Sequence, residues 1–215
     1  MSRSSTDVAL TGVRVTNVLG DFVAITGGAS NVVVVDGVFS GAGRQGFSVN
    51  EGSDIVFRGN RMTRVARSAV DVEPLLDWVV RGVTVTGNTF TAPIVNSIFA
   101  NLGNGGAVTN ITFSDNMMIG EAFTVKAAAP CGERRTGYTF TGNVSDTEAS
   151  EPLGFRRIDG LTITGNTIPV APPRTAAKGG ATTGGVWLAL TDVGESEISA
   201  NEVGTADMIE EPSSC

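Results

Sequence analysis

The chain has 215 residues, a net charge of −7 and no histidine. Lys and Arg form no stripe, so the footprint needed to hold nucleic-acid phosphates or anionic lipid is missing, and no nucleic acid and no membrane are expected as partners. The lack of histidine removes the commonest general base and any Ser/His/Asp triad.

Twenty-eight Gly, abundant Val, Thr and Asn, and no long stretch of apolar 3.6-residue spacing point to many short strands joined by turns. No stretch reaches membrane-spanning length, and Met1-Ser2-Arg3-Ser4-Ser5 lacks the apolar run of a signal peptide. Cys131 and Cys215 are too few for a disulfide framework and sit at no metal-ligand spacing; they read as loop thiols, and a bridge between them requires the C-terminal tail to fold back.

Taken in order, the chain repeats one pattern eight times. The clearest copy is Val83-Thr84-Val85-Thr86-Gly87-Asn88-Thr89-Phe90, and the Asn88 column continues through Val13, Gly37, Asn60, Asn116, Asn143, Asn166 and Asn201 at spacings of 23 to 35 residues. Positions five and three before this column and two after it are apolar in nearly every copy, as in Val32/Val34/Phe39, Ile55/Phe57/Met62 and Ile111/Phe113/Met118. Period two predicts a strand with one face inward, and the Gly-Asn that ends it is turn chemistry, because Gly tolerates φ > 0 and Asn bonds local backbone. Each copy therefore reads as strand, sharp bend, strand.

A second strand is predicted at 22–26, 46–50, 69–73, 97–101, 122–126 and 185–190, with inward pairs Val23/Ile25, Phe47/Val49, Val70/Val72, Ile98/Ala100, Phe123/Val125 and Val186/Leu188. In the sixth copy only Gly154-Phe155-Arg156 offers such a strand. Long insertions are expected at 127–137 and 169–184, the second a mobile Pro- and Gly-rich loop. Identical strands that recur once per 23 to 35 residues stack in parallel more readily than they form hairpins. The expected architecture is all-β, a single-stranded parallel β-helix, or solenoid, of about eight coils forming one domain over 1–215. The six Asn from Asn60 onward form an internal ladder whose amides satisfy one another and the turn backbone.

The segments 83–90, 111–118 and 161–168 resemble repeats of right-handed parallel β-helix proteins of the pectate-lyase-like superfamily. The stretches 43–49 and 69–74 are similar to segments of β-helix proteins in phage tails and in bacterial polysaccharide-processing enzymes. The resemblance implies fold strongly and activity loosely. The Asp-Asp and His-Gly pairs of polygalacturonase-like relatives, and the Tyr/His motif of alginate-epimerase-like ones, have no counterpart here.

Candidate chemistry lies on the outward side of the second strand. Asp71 and Glu73, two apart on one strand, put two carboxylates on one face about 7 Å apart, a separation that suits an acid and a base flanking a glycosidic bond. Arg44, Asn50, Asn101 and Lys126 on neighbouring coils are candidate substrate-binding residues, with Phe99 or Trp187 as a stacking platform. No cofactor is called for, since two carboxylates make a thin calcium site. A plainer reading is that Arg44 or Arg67 simply pairs with these acids and that Glu73-Pro74 ends a strand.

Elsewhere, Thr84/Thr86, Thr112/Ser114, Thr139/Thr141 and Thr162/Thr164 give a two-column hydroxyl array that resembles the Thr ranks of β-helical ice-binding proteins, although outward Thr is also simply a good strand residue. Of the sequons at Asn110 and Asn143, the second falls in the expected buried ladder. Neither end offers an obvious cap, so the chain is expected to be part of a larger protein or to associate end to end or as a homotrimer. The expected function is binding, with or without cleavage, of an extracellular polysaccharide by a lyase or glycoside hydrolase. The alternative is a non-catalytic structural or adhesion module of a phage tail or bacterial surface. The expected location is extracellular, cell-surface or virion.

Overall fold

The structure, a computed structural model, describes residues 4–75, 77–102, 105–149, 151–171, 174–175, 182–183 and 185–212. It is a parallel β-helix. Three parallel sheets run along its axis, the first of eight strands from Thr6–Thr11 to Ser196–Ser199. The second has six strands, from Arg14–Val18 to Val144–Thr147, and the third has eight, from Val23–Ile25 to Asp207–Glu211. Each coil visits the sheets in turn, so the predicted strand–bend–strand unit spans the first and second sheets and the predicted second strand builds the third.

Six coils are complete. The last two of the eight expected keep their strands in the first and third sheets, but in the second they shrink to isolated bridges at Thr167 and Glu202. A depression of about 450 Å³ opens there, lined by Ile168, Val170, Val203 and Ala206.

The bend before the ladder is built from residues with positive φ: Gly59, Gly87, Gly142 and Gly165 at 62° to 64°, with Asp36, Asp115 and Ala200 at 54° in the same column. Only a residue that tolerates the left-handed region can turn the chain so sharply between two sheets, which explains the Gly-Asn signature. Just inside the bend, Asn60, Asn88, Asn116, Asn143, Asn166 and Asn201 form the expected ladder. Asn88 Nδ2 donates to Asn116 Oδ1 at 3.0 Å and to the Phe57 carbonyl at 2.9 Å, while the Asn88 backbone N–H donates to the same Oδ1 at 2.9 Å. The pattern repeats from Asn116 to Asn143 and from Asn143 to Asn166. The corner thus buries amides without leaving them unpaired.

The interior is filled by the predicted apolar columns. Phe39, Phe47 and Phe57 pack in series, with centroids 5.0 and 4.2 Å apart. Farther along, Phe113 touches the rings of Phe90, Phe99, Phe123 and Phe140. Such pairs contribute about 0.5–1.5 kcal/mol each beyond area burial. The insertion expected at 127–137 is shorter than read from sequence. Residues 127 and 128 extend the strand Val125–Ala128, and 135–137 begin the strand Arg135–Thr141, because both pair in register with the next coil. Cys131 lies in the remaining turn and is not a free thiol; the expected role of Cys215 falls outside the described residues. Most of the loop expected to be mobile at 169–184 also lies outside them, apart from a short antiparallel pairing of Arg174–Thr175 with Thr182–Thr183.

Candidate functional site

The third sheet presents one outward column in which Ser48, Asp71, Ala100, Lys126, Gly154 and Ala189 lie in register, one per coil. Asp71 and Lys126 therefore share the face on which sequence placed them. Glu73 and Asn50 lie beside this column, and Asn50 Nδ2 donates to the Glu73 carbonyl at 3.0 Å.

Around Asp71 the polar groups are closely organised. Asp71 is only 4% exposed, and Gln45 Nε2 donates to its carboxyl. Gln45 is itself fixed at both ends: its Oε1 accepts the Ser68 N–H at 2.9 Å, and its backbone N–H donates to Asp21 Oδ1 at 2.9 Å. Asp21 also accepts the Ser48 hydroxyl at 2.7 Å. Arg44 links the two outer acids, with Nε 3.2 Å from Asp21 and Nη2 3.5 Å from Glu73. Its head is half exposed, so these ion pairs add little stability and leave Arg44 able to swing away.

Burial is the largest influence on Asp71 and pushes its carboxyl up to about 7; the Glu73 charge pushes the same way, and Arg44 offsets part of the rise. The strand Val70–Val72 thus carries one carboxyl that holds its proton near neutrality, and just past its end stands a second, Glu73, whose side chain is 40% exposed. Two acids in such different surroundings can divide proton donation from proton acceptance. Among the described residues, no group of three or more His, Cys, Asp or Glu is placed to hold a metal ion.

Three predicted residues face the other way. Phe99 pairs with Val70 and Val125 and is fully buried against Phe113 and Phe140. Asn101 is buried as well, donating to the Val72 carbonyl and accepting from the Tyr138 hydroxyl, while its own carbonyl accepts from Arg135. The inward pair in this coil is therefore Phe99/Asn101, one residue out of step with the expected Ile98/Ala100, because the strand begins only after Ile98 and leaves Ile98 buried at the corner. Trp187 joins the core at 7% exposure, since the register of its strand shifts between Val186 and Leu188 and brings adjacent residues inward together. None of the three offers a surface to a ligand.

The opening on this face lies farther along the axis. A groove of about 290 Å³ runs over Gly154 and Ala189, flanked by Lys126, Arg156, Glu151 and Glu211 and closed on one side by the exposed Leu102. Apart from Lys126, its residues, like Asp21 and Gln45, carry no sequence motif. They come from the short third-sheet strands and their corners, where no repeat pattern marks them.

The hydroxyl array on the first sheet is in register as expected, and Ser114 donates to Thr86 at 2.9 Å while Thr141 and Thr164 bond at 3.0 Å. Part of its hydrogen-bonding capacity is thus spent within the column. Asn143 is fully buried in the ladder, whereas Asn110 is exposed.

No family model matches the chain, and no curated protein does so either. Among solved structures, the chain is similar to the crystal structure of the Agl-KA catalytic domain, with TM-score 0.65 and 16% identity over 99% of this chain and 43% of that one. It is also similar to the crystal structure of PfbA, a surface adhesin of Streptococcus pneumoniae, with TM-score 0.59 and 15% identity over 81% of this chain and 44% of that one. The chain spans less than half the length of either. These likenesses are of fold, and they agree with the sheets and the ladder: the chain is a parallel β-helix repeat protein.

Proposed function

We propose that the chain binds an extended polysaccharide along the outer face of the third sheet. The carrying observation is the register column of that sheet, which leads from the Asp71 cluster, where Ser48, Asp71 and Ala100 are buried, to the open groove beside Lys126 with one polar or small side chain per coil. Coils about 4.8 Å apart offer a polymer a regular series of contacts. An extracellular, cell-surface or virion location goes with this reading, and the neighbours, one a catalytic domain and one an adhesin, are compatible with cleavage and with simple attachment.

Cleavage is favoured by one feature, the pairing of a proton-holding Asp71 with the more exposed Glu73. In a hydrolase Asp71 would protonate the leaving oxygen and Glu73 would activate water, once Arg44 releases Glu73 to the substrate. The test is a panel of acidic and neutral glycans assayed for new reducing ends and for unsaturated products, with wild type beside Asp71→Asn and Glu73→Gln. Hydrolysis is expected to yield reducing ends without unsaturation and to fall by at least about a hundredfold in either variant. Activity unaffected by both changes removes the catalytic assignment. If glycans bind and none is turned over, the adhesion reading holds.

A further inference from the structure

Resting on the polysaccharide reading, we infer that the groove over Gly154 is the ring-binding subsite of this face and that it takes an uncharged glycosyl residue in preference to a uronate. The floor is set by two small side chains that follow one another in the outward column, Gly154 and Ala189, while the preceding coil carries Lys126. Nothing in the packing demands a glycine there. Gly154 has no positive φ, and a Cβ built on it meets no atom within 4 Å. The bare floor therefore leaves space outside the fold, room that a flat ring can occupy.

The rim decides what kind of ring. Two cations, Lys126 and Arg156, and two carboxylates, Glu151 and Glu211, line the groove, so the formal charges cancel. Thr191 adds a hydroxyl that donates to Glu211 at 3.3 Å. Donors and acceptors together around an apolar floor and the Leu102 side chain match a pyranose, whose hydroxyls both give and accept and whose C–H face is apolar. A uronate would gain from Lys126 and Arg156 but would set its carboxylate among Glu151 and Glu211, on a chain of net charge −7.

The test is binding by calorimetry of neutral hexasaccharides of glucose, xylose and mannose, and of oligogalacturonate and oligomannuronate of matched length, to wild type, Gly154→Trp and Glu73→Gln. Gly154→Trp fills the groove from an unstrained position, and an unchanged melting temperature checks that it folds. At least one neutral oligosaccharide is expected to bind about tenfold or more tighter than either acidic one, and to lose about tenfold or more in Gly154→Trp. Glu73→Gln, outside the groove, is expected to lose less than Gly154→Trp. Tighter binding of the acidic oligosaccharides, or neutral binding that survives Gly154→Trp, overturns this subsite while leaving the polysaccharide reading in place. Failure of every glycan to bind wild type overturns both.

Discussion

At the residue scale the most informative group is Asp71, because its burial and its chemistry point in opposite directions. A carboxyl whose folded value lies near 7, against 3.8 for an unperturbed Asp, keeps its proton longer in the native state than in the unfolded one. Its contribution to stability is most favourable below the unfolded value and is lost as pH rises from about 4 to about 7. At about 1.4 kcal/mol per pH unit the loss approaches about 4 kcal/mol by neutrality. Asp71→Asn keeps the shape and removes the charge. Its thermal midpoint is expected to exceed that of wild type by several degrees at about pH 8 and to match it at about pH 4. Equal midpoints at both pH values would show that Arg44 and Gln45 compensate the buried charge fully. Coupled to the glycan assay, a variant that is more stable and inactive would mark Asp71 as a group kept for chemistry at a cost to the fold.

At the element scale the Asn ladder is where sequence and structure agree most closely. Asn116→Ala would strip the acceptor from the Asn88 backbone N–H and amide and the donor from the Val85 carbonyl, all of them buried. Unpaired buried groups cost roughly 1–3 kcal/mol each, so a loss of about 3–5 kcal/mol is expected from denaturant titration. Asn201→Ala, at the half-buried last rung, lets water replace its bonds to Asn166 and Ile163 and is expected to cost about 1 kcal/mol. Equal losses would argue against the ladder as a chain of mutually dependent bonds. The rungs were legible because each is announced by a left-handed bend and flanked by alternating residues over seven or eight positions. The third sheet was harder to read: its strands Phe47–Val49, Val70–Val72 and Phe99–Asn101 have three residues each. With so few positions there is no alternation to count. Ile98 beside Phe99, and Val186 beside Trp187 and Leu188, fit either parity, so packing against Phe113 and a register shift settle what the sequence leaves open. The inward pair Val70/Val72 was read in the right parity because both valines outweigh their small neighbour Ala69, although the strand is shorter than the expected 69–73 and leaves Glu73 just past its end.

At the scale of the whole molecule, strand pairing joins each coil only to the coils before and after it, with the Arg64–Asn17 and Arg134–Asp192 contacts reaching one coil farther, so stability is close to a sum of local interfaces. Coils four to six have three paired strands and the Phe113 cluster, whereas the last two lack a strand in the second sheet and the final one exposes most of Ser196–Ser199 and Asp207–Glu211. Hydrogen exchange should follow this gradient. Amides at Val85 and Phe113 are expected to exchange only on global unfolding, and those at Ile198 and Ile209 at least about a hundredfold faster. Uniform protection along the axis would instead mean that the chain unfolds as one unit.

The parallel stacking that brings Asn60 over Asn88, 28 residues on, and Asn143 over Asn166, 23 residues on, also fixes how the molecule meets a mechanical load. A pull applied between its ends bears mainly on one inter-coil seam at a time, since detaching an end coil breaks strand pairing to a single neighbour. Each coil released should lengthen the tether by about 8–10 nm, the extended length of some 23 to 28 residues. The molecule would yield in steps, releasing chain coil by coil, and a polymer bound as proposed would stay attached to the coils still folded.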